Sequence, residues 1–301
     1  MLSRIAESYF WMGRYLERAE ATARMLSEHH QLLVEERLES EETACVVLLD
    51  ALSLPRVDAV ETAGLVRALV GTPDLPATIS GSVSGARENA RAIRDTISSD
   101  VYEALNGAYL ALSRGLALAA SPGVALHRVI ERLLVVNGVL QWTMPRDEGY
   151  LFMDLGRSLE RIDMTVRLMN VRHDQLWPET GPVATLRAAG MHDAFLRAGL
   201  SMSGDEVRAF LLLDEVNPRS VRSCAAHAED AVRALQLMGV DDGGMLLREV
   251  GMLRSRVEYV VSPTPAEVDR LARDAQAGAT RASDAVVEAY FRQAGTIVWS
   301  H

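Results

Sequence analysis

Gly13-Arg14-Tyr15-Leu16-Glu17-Arg18 recurs, with one change, as Gly156-Arg157-Ser158-Leu159-Glu160-Arg161. The likeness runs on: Thr22, Arg24 and Met25 are matched by Thr165, Arg167 and Leu168. At about 100° per residue, Arg14, Glu17, Arg18, Ala21 and Arg24 fall on one broad helix face, opposite Leu16, Ala19 and Leu26. Phe10 and Trp11 stand at one end of that charged face and Met25 at the other. A solvated face rarely interleaves arginine with large apolar side chains, so the spacing predicts a charged seam inside a helical bundle. Gly13 and Gly156 cost stability inside a helix, which fits a close crossing of two helices there.

The same phrase twice implies a fold built twice. Gly13 and Gly156 lie 143 positions apart; Pro76 and Pro218, each followed by a helix-entering segment, lie 142 apart. Two anchors at nearly one offset suggest repeat halves of about 1–142 and 143–301, packed about a pseudo-twofold axis as one domain spanning 1–301. No Gly/Ser/Pro-rich linker interrupts 140–150, and Pro145-Arg146-Asp147 reads as a turn.

Around these anchors the pattern is helical. Apolar Ile5, Met12, Leu16, Ala19 and Leu26 predict one long helix from 2 to about 37. Shorter helices are expected at about 41–53, 57–70 and 78–97, with breaks at Thr72-Pro73 and Leu75-Pro76. Asp100 with Glu103 suggests a capping box for the next helix. Ser121-Pro122, Asn217-Pro218 and Thr264-Pro265 each place a capping side chain before a proline that can open a helix. Thr264 also has Glu267 three residues on, and the last helix should run from about 265 almost to the C-terminus. Period-two alternation is nowhere sustained. The fold class is all-α, a helical bundle of two pseudo-symmetric repeats.

Composition narrows the function. Of 301 residues, 49% are hydrophobic and 5% aromatic, enough for a large core and a bias toward helix. A net charge of -10 argues against a nucleic-acid partner held by general electrostatics, and against a polybasic membrane surface. All 31 basic side chains are arginine, so neither a Schiff-base lysine nor a Walker lysine exists. Arginine keeps its charge when buried and grips carboxylates or phosphates with paired hydrogen bonds. Cys45 and Cys224 make no disulfide framework, no signal-peptide order or membrane span is visible, and a cytoplasmic location is the expectation.

A second charged constellation follows Ala86: Arg87, Glu88, Arg91 and Arg94, with Asp95, beside an apolar side of Val83, Ala90 and Ile93. Its spacing allows pairing within the helix. Candidate residues for an anion or a partner are therefore Arg14, Glu17, Arg18, Arg87, Glu88, Arg91, Arg94, Arg157, Glu160 and Arg161. Glu17 with Glu20, and Glu160 with Asp163, resemble di-metal carboxylate pairs. The Glu-x-x-His motif of such bundles is missing, so no metal and no cofactor is expected. Scattered histidines and Cys224-x-x-His227 offer no zinc set, and no nucleophile elbow, dinucleotide fingerprint or phosphate loop occurs. Ser80-Gly81-Ser82 reads as a helix start.

Jointly, several blocks resemble the bacterial alpha-E family, a helical domain named for a Glu-Arg motif. They are Trp11 to Glu20, Ala86 to Asp95 with Glu103 to Asn106, Asp147 to Phe152, Gly156 to Arg161, and Phe210 to Val221. The chain departs from that pattern at Tyr102, where the family usually has Trp. The resemblance implies genes neighbouring a circularly permuted ATP-grasp ligase and a transglutaminase-like cysteine peptidase. It thus suggests a role in making, tagging or trimming a peptide or amide-linked metabolite, without a settled activity for the helical member.

Three functions follow as expectations. The first is an accessory subunit that docks the ligase or an anionic ligand through its Arg/Glu faces. The second is a metal-free enzyme with Glu17 or Glu160 as general base and arginines as an anion clamp. Neighbouring arginines push a carboxyl pKa down, whereas a general base needs it raised, which weakens this second reading. Self-association into a homo-oligomer through amphipathic helices is the third.

Overall fold

The computed structural model describes residues 1–36, 41–55, 62–71, 75–113, 121–240 and 244–291. In chain order its helices are α1 (Ser3–Glu35), α2 (Glu41–Ala51), α3 (Thr62–Gly71), α4 (Ile79–Ala92), α5 (Ser99–Ser113), α6 (Pro122–Thr143) and α7 (Glu148–Val171). They continue as α8 (His173–Leu176), α9 (Gly181–Ala189), α10 (His192–Ala198), α11 (Gly204–Leu213), α12 (Val221–Leu237), α13 (Met245–Glu258) and α14 (Pro265–Val286), which widens into a π turn at Val287–Phe291. No strand occurs among the described residues, and the protein is an all-α bundle.

Helices α1 and α7 form the centre and pack along each other; α4 and α6 flank α1, while α12 and α14 flank α7. Short helices exchange sides, so that α9 lies on α1 and α2 lies on α7. Both central helices are buried nearly all round. On α1, Met12, Leu16, Ala19, Ala23 and Leu26 are buried on one side and Glu17 and Glu20 on the other. The glycines set the spacing: a Cβ on Gly13 would strike the backbone carbonyl of Met153, and one on Gly156 would strike that of Phe10. These two contacts map onto each other under the 143-residue offset.

Helix ends decide the details. Thr78 caps α4 by accepting from Gly81 N at 3.0 Å, and Ser220 caps α12 by accepting from Ser223 N at 3.1 Å. Thr264 and Glu267 form the reciprocal capping box of α14 behind Pro265. Elsewhere the sequence reading needs correction. Helix α4 ends at Ala92 rather than 97, because Ile93–Thr96 turns back and Thr96 O accepts from the Tyr9 hydroxyl at 2.8 Å. Arg94 and Asp95 therefore sit beyond the helix. Ser98, not Asp100, caps α5, accepting from Val101 N at 3.2 Å. Asn217-Pro218 does not open α12: Asn217 Oδ1 accepts from Arg219 N in a turn, and the helix begins at Val221. Ser121 occupies the N-cap of α6 without a side-chain capping bond. Helix α2 ends at Ala51, with Ser53 following at φ 55. The Thr72-Pro73 break, the start of the helix expected at 57 and the far end of the last helix lie outside the described residues.

Candidate functional site

The charged faces of α1 and α7 meet as a crossed set of ion pairs. Glu160, on α7 and fully buried, accepts from Arg14 Nε at 2.6 Å and from Arg18 Nε and Nη2 at 2.5 and 3.0 Å. Glu17, on α1 and 2% exposed, accepts from Arg161 Nη2 at 2.6 Å and Arg219 Nη1 at 3.2 Å. Glu20, also buried, accepts from Arg24, Arg219 and the Asn137 amide. Arg14 and Arg18 of α1 thus hold the α7 glutamate, while Arg161 of α7 and Arg219 of the turn before α12 hold Glu17. Arg24 reaches back to Glu20 as Arg167 reaches back to Asp163, both at i, i+4.

Burial alone would push the Glu17 carboxyl up, yet the charges of Arg161, Arg219 and Arg157 outweigh it and hold the pKa down at about 2. All three glutamates are consequently acceptors already in use. The sequence reading placed Arg14, Glu17, Arg18, Glu160 and Arg161 together, and the structure brings them into this seam. Arg219 was missed as a site residue; it follows a proline turn and carries no helical periodicity that would assign it a face. Arg87, Glu88, Arg91 and Arg94 are not part of the seam. Arg87 donates to Asn106 and Glu88 and stacks on Tyr109, and Arg91 pairs with a Glu88 that is 47% exposed. Arg94 lies over Tyr102. This second cluster is a surface lattice that ties α4 to α5.

Arg157 stands apart. Its counterpart Arg14 stacks on Trp11 at 5.2 Å, bonds Glu160 and donates to Ser283. Arg157 makes no such bonds: its Nη2 is buried without an acceptor, as is Nε of Arg161. The aromatic filling differs too. Trp11 and Tyr15, which cover the Arg14 side, are matched at the same offset by Asp154 and Ser158. Where those small polar residues stand, a cleft of about 540 Å³ opens between α6, α7 and the start of α12. Arg157, Arg161 and Arg219 line it on one side, and Leu134, Gly138 and Trp142 on the other. Cys224 also borders it, but burial pushes its thiol up to about 12, which leaves no thiolate for chemistry at neutral pH.

A second buried polar group joins α1 to α8 and α9. His29 Nδ1 and His173 Nε2 are 3.3 Å apart, His173 Nδ1 is 3.1 Å from the Thr185 hydroxyl, and Trp177 packs edge-on against His29. Burial, and for His29 also the neighbouring His173, pulls the two pKa values down to about 3 and about 4. Both lie below the ordinary value near 6.5, so the unfolded chain takes up protons first. The stability they contribute is complete above pH 6.5 and is lost as the pH falls toward 3. Melting followed by circular dichroism should show a falling Tm between pH 6.5 and 4, flattened in His173→Gln; an unchanged wild-type Tm across that range would refute this.

A family described as a predicted alpha-helical domain with a conserved ER motif matches residues 1–291. The chain belongs to the Alpha-E family. In this Alpha-E chain the Glu-Arg pairs at 17–18 and 160–161 are the heart of the seam. Uncharacterized proteins of Mycobacterium bovis and Mycobacterium tuberculosis are similar to it, each 29% identical over 249 residues, covering 72% of this chain and 28% of the relative. The Alpha-E chain therefore spans less than a third of the length of the curated relatives it matches. No solved structure matches it. Among the described residues no helix is long and apolar enough to cross a membrane, and no group of three metal-ligating side chains gathers.

Proposed function

We propose that this Alpha-E chain is a non-catalytic accessory subunit of an ATP-grasp amide-ligase system, acting on a peptide or amide-linked metabolite. In this reading its task is to hold an anionic group of the substrate or of the partner in the α6/α7/α12 cleft. The observation that carries it is Arg157: a guanidinium lining the cleft, with a buried donor that no described residue satisfies, beside glutamates whose oxygens are already occupied. A buried donor left unmade costs about 1–3 kcal/mol, which an anionic ligand would recover. The relatives' greater length supports a module that works beside further polypeptide. The shared 143-residue offset of the seam contacts supports duplication of an ancestral half, with Asp154 and Ser158 standing in the cleft-bearing half where the other has Trp11 and Tyr15.

A metal-free enzyme using Glu17 as base is the weaker reading, because a pKa near 2 makes a poor proton acceptor at neutral pH. The docking role expected of Arg14 and Arg18 moves to Arg157, since the first two are engaged by Glu160. Titration calorimetry with succinate and with inorganic phosphate should give saturable binding of at least one. Arg157→Ala should weaken it by tenfold or more, the worth of a charge-assisted pair. Absence of binding by both anions would refute the proposal.

A further inference from the structure

The geometry points to the carboxylate end of a short peptide with an apolar last residue as the ligand of this cleft. This rests on the reading of the cleft as an anion site and adds what lies beside the anion. Helix α6 presents a row at i, i+4 and i+8, Leu134, Gly138 and Trp142, along the wall opposite the arginines. Leu134 is 46% and Trp142 89% exposed, an uncommon display for an indole in a bundle whose other large side chains are mostly covered. Helix α7 presents Arg157 and Arg161 at i, i+4 on the facing wall. The cleft therefore sets an apolar strip against a mixed wall, in which Arg161 and Arg219 are paired with Glu17 and Glu20, Asp154 adds a carboxylate, and Arg157 carries the donor that no described residue satisfies.

The dimensions suit a peptide. Eight residues of helix span about 12 Å, the reach of three or four extended residues. Gly138 leaves the middle of the apolar strip open, since a Cβ there would touch nothing within 4 Å. Between the strips lie the amides of Asn137 and Gln141, one held by Glu20 and the other accepting from the Tyr150 hydroxyl at 3.2 Å. Amide side chains in that position can pair with a peptide's own N–H and C=O groups, while an inorganic phosphate would use neither them nor the indole. The terminal carboxylate pairs with Arg157, and the last side chain rests on Trp142.

The test is titration calorimetry of the full chain with acetyl-Ala-Ala-Phe carrying a free carboxylate, with the same peptide as its C-terminal amide, and with succinate. The free acid should bind at least tenfold more tightly than the amide. Trp142→Ala, an exposed position whose loss leaves the core intact, should weaken the acid by fivefold or more and leave succinate unchanged. Succinate binding without binding of either peptide, or acid and amide binding alike, would overturn the peptide assignment while leaving the anion site standing. Failure of all three ligands on the wild-type chain would overturn both.

Discussion

Glu160→Gln should destabilise the protein by about 3–5 kcal/mol, the cost of removing one partner of a buried charge network. The substitution keeps the shape of the side chain, removes the charge, and turns one of two occupied acceptor oxygens into an amide donor facing arginine N–H groups. Arg14 then loses its acidic partner and Arg18 keeps only the more distant Asp163, for guanidiniums that are 15% and 22% exposed. The loss should appear as a drop in Tm of roughly 10 °C. Glu88→Gln is the control: at 47% exposure its pairs with Arg87 and Arg91 should be worth less than about 1 kcal/mol. Replacing Arg14, Arg18 and Glu160 together by leucine should recover much of the loss, because apolar packing avoids the desolvation of three charges. A Glu160→Gln protein that melts with the wild type would show that the seam does not hold the central helices together.

The second large effect belongs to the glycine crossing. Gly13→Ala and Gly156→Ala each replace a poor helix former with the best one, a change worth about 1 kcal/mol of stabilisation in an open helix. Here each added methyl meets a backbone carbonyl of the partner helix, which cannot rotate away as a side chain can. The helices must separate, and every ion pair between them lengthens. Each single variant should lose about 1–3 kcal/mol and the double variant about 4 kcal/mol, measured by chemical denaturation. Gly107→Ala supplies the contrast, since nothing lies within 4 Å of its Cβ and the helix-propensity gain should survive. Equal stability of Gly107→Ala and Gly156→Ala would contradict the close crossing.

Much of this was legible in the sequence because the seam is written in residue types that physics makes expensive. Arginine and glutamate interleaved with Phe10, Trp11 and Met25 had to be buried and paired, and the repeated phrase said with what. The pairing itself was less legible. Helical periodicity puts Arg14 and Arg157 on equivalent faces, yet one is bonded and the other is not. The difference arises from Trp11 and Tyr15 against Asp154 and Ser158, residues that matter only once α6 and α14 are in place. Arg219 was hidden for a similar reason: a turn residue has no face until the turn is folded. His173 stands at the 143-residue offset from His30, one position away from the His29 it meets, so the repeat points near this pair without naming it. Helix ends differ from the sequence expectation where a local capping signal loses to a tertiary one, as at Thr96, which Tyr9 holds from α1.

Arg157 keeps a buried donor that no described residue satisfies, and calorimetric melting of Arg157→Ala beside the wild type, with and without saturating succinate, decides whether that donor serves a ligand. Ligand binding to the folded state raises stability by mass action, so wild type should gain several degrees with succinate. Without succinate, Arg157→Ala should melt within a few degrees of the wild type, because losing its charge near Glu17 offsets the removal of an unpaired buried donor, and succinate should add nothing. A variant that melts as low as Glu160→Gln, or one that keeps the full succinate gain, would rule out Arg157 as the anchor of the ligand.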